Sequence, residues 1–159
     1  FAFIDSQNVY QGIKNLGWQI DWARFRVYLK EKYRVMTAYL FIGYIPTNRD
    51  LYDTLQKAGF ILVFKPVLPN GAGGVKGNID ADLVLQTMID YPVYQQAMIV
   101  SSDGDFYSLV RYLYEKKKLL VVLSPHVATC SSLLKKTGRE RVIYMDKLVG
   151  KIGKKKSTA

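Results

Sequence analysis

Six short apolar runs, separated by longer amphipathic stretches, set the strongest constraint on how this chain can fold. Residues 1–4, 35–45, 60–64, 97–101, 119–123 and 142–145 are dominated by hydrophobic side chains. A strand with one face in water alternates apolar and polar residues, whereas a near-continuous apolar run suits a strand covered on both faces. The stretches between the runs carry helix signals. Asp21 can cap a helix through Tyr33, in which Trp22, Phe25, Leu29 and Tyr33 recur at spacings of three or four. Asn48 or Asp50 opens a helix through Ala58 that Gly59 stops. Residues 79–89, 106–116 and 128–136 read as further helices, and 8–15 as a short helix or turn. Strand–helix–strand order repeated in this way implies parallel strands joined by right-handed crossovers. The expected fold is therefore a three-layer α/β/α sandwich around a central, mainly parallel sheet. Between 66 and 78, Pro69-Asn70-Gly71 and Gly73-Gly74 indicate a mobile loop.

The bulk numbers narrow the class. The length of 159 residues suits one domain, read here as 1–146, followed by a lysine-rich tail at 147–159. A hydrophobic content of 49% is enough for a core that needs no metal or disulfide staple. The single cysteine, Cys130, excludes an intramolecular disulfide and a Cys-rich zinc site, and fits a reducing, cytoplasmic setting. No apolar run approaches the roughly 20 residues needed to span a bilayer. The apolar start meets Asp5 at once, too soon for the core of a signal peptide. The net charge is +10, and Lys147, Lys151, Lys154, Lys155 and Lys156 account for half of it. The body is thus basic without the tail, which points to a nucleic acid rather than a membrane partner, since no amphipathic basic helix stands out. A homo-oligomer is left open.

The chemistry concentrates in acids at strand ends. Asp5 follows the first run directly, and Ser101-Ser102-Asp103-Gly104-Asp105 closes the fourth. If those two strands are parallel neighbours, three carboxylates meet at one edge of the sheet, the edge where ligands of such folds bind. Aspartates in strands are costly to bury unpaired, so several together call for a cation. One of Asp103 and Asp105 can be explained as a helix cap, but not both, nor Asp5 beyond them. A second acidic group, Asp80 and Asp82, opens the helix at 79–89. Two residues on a helix are about 200° apart, so only one can face the site. Asp80, nearer the helix start, is the expected ligand, with Asp82 behind it or in solvent. Lys76, in the loop ahead, can contact a phosphate. Hard cations take oxygen ligands, and a metal such as Mg²⁺ held by carboxylates can lower the pKa of water and offset charge on a phosphoryl group.

Absences thin the alternatives. The only histidine, His126, rules out a two-histidine ribonuclease mechanism. No Gly-x-Ser-x-Gly elbow and no phosphate-loop sequence occur.

Three blocks carry a family likeness: Phe3-Ile4-Asp5-Ser6-Gln7-Asn8, Lys76-Gly77-Asn78-Ile79-Asp80-Ala81-Asp82-Leu83, and Ser101-Ser102-Asp103-Gly104-Asp105-Phe106. Together, in this order, they resemble the signature blocks of the NYN domain, a PIN-like nuclease family that includes LabA-like proteins. Ser6-Gln7 stands where the family often has a small Gly-containing pair. The resemblance implies a PIN-like sandwich with the first strand in the middle of the sheet. It implies Asp5, Asp80, Asp103 and Asp105 as catalytic metal-site residues, and Asn8 as a residue steadying the site or the substrate. Ser101 or Ser102 would support the aspartate loop. The implied activity is Mg²⁺- or Mn²⁺-dependent cleavage of RNA. Lys76 and Arg49 would grip the backbone, and Tyr44 and Tyr107 are candidates for stacking on bases. Two rivals stand beside it: a catalytically inactive RNA-binding or scaffold module on the same fold, and another acid–metal phosphotransfer enzyme.

Overall fold

The computed structural model describes residues 1–65, 68–69, 75–76 and 79–155, and side chains outside 66–78 within that span. A six-stranded parallel sheet forms the middle layer. Its strands are β1 (Ala2–Asp5), β2 (Ala38–Gly43), β3 (Ile61–Lys65), β6 (Ala97–Val100), β7 (Leu119–Ser124) and β8 (Val142–Tyr144), in the order β3-β2-β1-β6-β7-β8. All six apolar runs thus form strands, and the first lies inside the sheet. Of residues 66–78, β4 (Leu68–Pro69) and β5 (Val75–Lys76) pair as a short antiparallel ribbon. Gly71, Gly73 and Gly74, on which the loop expectation rested, lie outside the described residues.

The near-continuous apolar runs have a simple explanation. Ala2, Ile4, Ala38, Leu40, Met98 and Val100 enter one core layer, while Phe3, Phe41, Ala97 and Ile99 enter the other. Side chains alternate across the pleat, so both parities must be apolar when both faces are covered. The first face is covered by α1 (Ser6–Asn15) through Val9 and Ile13, and by α2 (Trp22–Tyr33) through Phe25 and Leu29. On the second lie α4 (Asp80–Ile89) through Leu83 and α5 (Tyr107–Glu115) through Leu109, Val110 and Leu113, with α6 (Ser132–Gly138) adding Leu134.

Local signals acted as expected at several ends. The Asp21 side chain accepts from the Arg24 amide and caps α2. Gly59, at φ +99°, closes α3 (Arg49–Lys57), where a side chain would be strained. The helix expected from 128 begins later. A turn in which the Cys130 amide donates to the His126 carbonyl comes first, and Ser131 caps α6 through the Leu133 amide. The lysine-rich segment is anchored at its start. There α7 (Val149–Ile152) buries Ile152 in the first core layer, Gly153 bridges Ile20, and Arg24 donates to the carbonyls of Gly150 and Gly153. No helix among the described residues is long and apolar enough to cross a membrane.

Candidate metal centre

The strand order reverses between β1 and β6. From β1 the chain builds outward to β2 and β3, then returns to place β6 on the other side of β1. The carboxyl ends of these two strands therefore flank the crevice where ligands of open α/β sheets bind. Ile4 is in register with Val100, so the next residues, Asp5 and Ser101, emerge together at that crevice. Asp5 shares the parity of Phe3, which turns it toward the layer that contains α4 and α5.

Asp5 is 5% exposed and anchors several loops at once. Its Oδ1 accepts from the Asn8 amide at 3.1 Å and caps α1. Its Oδ2 accepts from the Ser101 hydroxyl at 3.4 Å, and Ser101 Oγ in turn accepts from the Asp103 amide at 3.1 Å. Asn8 Oδ1 accepts from both the amide and the hydroxyl of Ser102, at 2.8 and 3.0 Å. These bonds tie the start of α1 to the loop after β6. Burial pushes the Asp5 carboxyl up from the usual 3.8 to about 6. The Asn8 amide opposes the rise, the Asp80 charge adds to it, the Ser101 hydroxyl opposes it, and the Asp103 charge adds to it.

In front of Asp5 stand three more acids. One carboxylate oxygen from each of Asp80, Asp103 and Asp105 lies within 4.8 Å of the others. Asp80 is the first residue of α4, and Asp103 and Asp105 come from the loop and 3-10 turn (Gly104–Phe106) after β6. Asp80 and Asp103 are half-buried and Asp105 is exposed, so the group opens to solvent. Asp5 does not complete a group of that tightness; it lies behind the three, near enough for Asp80 and Asp103 to act on its proton. All the donors are carboxylate oxygens, a set suited to a hard divalent cation.

The other sequence candidates separate. Asp103, not Asp105, is the cap: its Oδ1 accepts from the Asp105 amide at 2.9 Å. A Cβ at Gly104 would crowd the side chain of Ser131, whose hydroxyl caps α6, so a larger residue there would force Ser131 to shift. Asp82 lies outside the acidic group and pairs with Lys65 at the end of β3, at 3.7 Å. That contact crosses between distant parts of the chain and has no signal in local spacing. Lys76 has a backbone place in β5, paired with Leu68, and its side chain lies outside the described residues. Arg49 is exposed at the start of α3. Tyr44 stacks on Tyr52 at 5.9 Å, while Tyr107 opens α5 two residues beyond Asp105. His126 Nδ1 accepts from the Ala128 amide and stands 3.1 Å from Asp146, outside the acidic group. Beside the acids is a cavity of about 540 Å³ lined by Gln7, Tyr10, Trp22, Asn48, Lys65 and Ile79, which sequence reasoning missed because its lining comes from elements far apart in the chain.

No curated protein matches the chain. A solved structure of a protein of unknown function from Vibrio parahaemolyticus superposes with a TM-score of 0.77, covering 96% of this chain and 94% of the other. The two are 22% identical, and the likeness establishes the fold alone. Residues 2–145 match the NYN domain, a span that runs from β1 to the residue after β8 and takes in every acid of the candidate centre. The chain belongs to the NYN domain family.

Proposed function

We propose that the protein is a metal-dependent endoribonuclease. The observation that carries this reading is the convergence of Asp80, Asp103 and Asp105 within 4.8 Å at the crevice between β1 and β6. Family membership supports a nuclease-like activity for such a centre. The basic net charge of +10 supports a polyanionic substrate.

In this reading Asp80, Asp103 and Asp105 hold Mg²⁺ or Mn²⁺, with Asp5 completing the negative charge from behind. Such a cation, when bound, supplies Lewis-acid polarisation of the phosphodiester and a lower pKa for water. The chain's own residues do the rest. Asn8 and Ser101 fix the aspartate loop relative to α1, which sets the carboxylates before substrate arrives. The half-buried position of Asp80 and Asp103 lowers the local dielectric, while exposed Asp105 leaves the mouth open to a polymer. No covalent enzyme intermediate is required.

The test is incubation of end-labelled RNA with Mn²⁺, Mg²⁺ or EDTA, using wild type, Asp80→Asn and Asp103→Asn. Cleavage is expected only with a divalent ion. Each variant is expected to lose at least the roughly 10–100-fold that disturbing a ligand's supporting partners costs. Cleavage that persists in both variants would remove the centre from the reaction. Tight, EDTA-insensitive RNA binding without any cleavage would favour the inactive RNA-binding module.

A further inference from the structure

A second surface runs away from the acidic centre along α5. Its groove, of about 960 Å³, lies between α5, α6 and the turn at Arg139–Arg141. One end is set by Tyr107, two residues past Asp105, and by Leu133, which packs near Gly104. The other end is set by Gln96 and Lys117, at the opposite edge of the sheet where β6 and β7 begin. The nine residues of α5 make the groove about 13 Å long at 1.5 Å per residue.

The lining is basic and aromatic. Arg111, Lys117, Lys136, Arg139 and Arg141 face it, against two acids, Glu115 and Glu140. Glu140 is already engaged by the Tyr114 hydroxyl at 3.1 Å and by Arg141 at 3.7 Å, which leaves the surplus of cations free for a partner. Two guanidinium groups sit on tyrosine rings: Arg111 at 5.9 Å from the Tyr107 centroid and Arg139 at 5.5 Å from that of Tyr114. Tyr107 is 39% exposed. Cations beside an exposed aromatic side chain suit a single-stranded nucleic acid, whose phosphates take the charge and whose bases stack. The concave shape fits a strand better than a flat anionic membrane.

We propose that this groove is the track for the single strand of RNA that leads away from the cleaved phosphodiester. The proposal rests on the nuclease reading for the position of the cut, but strand binding by the groove can be measured without cleavage. Single-stranded binding loses about 0.7 in the slope of log affinity against log salt for each phosphate contact removed. Removing two contacts with Arg111→Ala/Arg139→Ala lowers that slope by about 1.4, or about 25-fold in affinity at 0.1 M salt.

The experiment is fluorescence anisotropy of a labelled single-stranded RNA of mixed sequence, in EDTA across a salt series. It compares the full chain, Arg111→Ala/Arg139→Ala, Lys136→Glu, and the control Lys30→Ala/Lys32→Ala on α2 in the opposite layer, with a thermal melt of each. Lys136→Glu is a single exposed site and serves if the double variant does not fold. The groove variants are expected to bind less tightly with a shallower slope, while the control stays near wild type. Equal losses in groove and control variants, no loss in either, or binding to anionic vesicles in place of RNA would overturn the proposal. Cleavage of the same RNA with Mn²⁺ is scored separately. Groove-dependent binding without cleavage would retain the track and defeat the nuclease reading; cleavage with groove-independent binding would do the reverse.

Discussion

Replacing Asp5 by Asn should stabilise the metal-free protein at neutral and alkaline pH. The folded carboxyl titrates at about 6, against 3.8 for an ordinary aspartate, so the charge is disfavoured by burial before anything else. A shift of that size corresponds to about 3 kcal/mol at 1.36 kcal/mol per unit. The sign follows from proton counting. Between about 3.8 and 6 the folded state holds a proton that the unfolded state has lost, so stability falls as pH rises through that window and stays reduced above it. Asn removes the penalty and can keep the bond that caps α1. Its oxygen can still accept from the Asn8 amide, and asparagine is among the best N-cap residues. The bond to Ser101 must then reverse, because the amide nitrogen faces it: in the wild type Ser101 Oγ donates to Asp5 and accepts from the Asp103 amide, so its buried hydroxyl hydrogen loses its acceptor, which offsets about 1 kcal/mol or more of the gain. Thermal melts in EDTA should show Asp5→Asn melting above wild type at pH 8 by at most roughly 6–12 °C, using 2–4 °C per kcal/mol for a chain of this size, less the cost of the Ser101 bond. The gap should close by pH 4. With Mn²⁺ at pH 8 the wild type should gain more than the variant, since only the wild type offers the full negative charge. A variant no more stable than wild type at pH 8, or a gap that does not shrink toward pH 4, would refute the burial argument.

Two further expectations concern the neighbours. Asn8→Ala strands the amide and hydroxyl of Ser102, which is 8% exposed, and should cost about 1–3 kcal/mol in a denaturant melt. It should also weaken Mn²⁺ binding in a titration by roughly 10–100-fold, as loss of a positioning partner does; unchanged affinity would show that the loop holds its shape without Asn8. Asp82→Asn breaks only a partly exposed pair with Lys65 and should leave metal affinity within a few-fold of wild type, with a stability change of about 1 kcal/mol or less. A loss equal to that of Asp80→Asn would mean that the wrong acid of the pair has been assigned.

Much of the architecture was legible from residue order. Apolar runs at both parities require a sheet covered on both faces, and each such run forms a strand. The cap at Asp21 and the stop at Gly59 were legible because they act within one turn of the chain. Less legible was which of two adjacent acids does what. Asp103 caps the 3-10 turn and also joins the acidic group, two roles that local spacing assigns to different residues. The anchoring of α7 was hidden for another reason. The lysines read as solvated tail, the one buried apolar residue of α7, Ile152, is too little pattern to register, and the contacts that hold α7 are with α2 and Ile20, far away in sequence.

The placing of acids at the carboxyl ends of β1 and β6 was therefore determined by the sequence alone, because strand ends follow from local hydrophobicity. Their meeting was not. It depends on β6 returning to the side of β1 away from β2, so that Asp5 lies behind Asp80, Asp103 and Asp105 and the pair Asp82–Lys65 falls outside the group. The same crossover sets α5 against α6 and makes a basic groove out of cations that, along the chain, are scattered over thirty residues. Local sequence decides which residues end a strand; only the packing of distant segments decides which of those ends share a crevice.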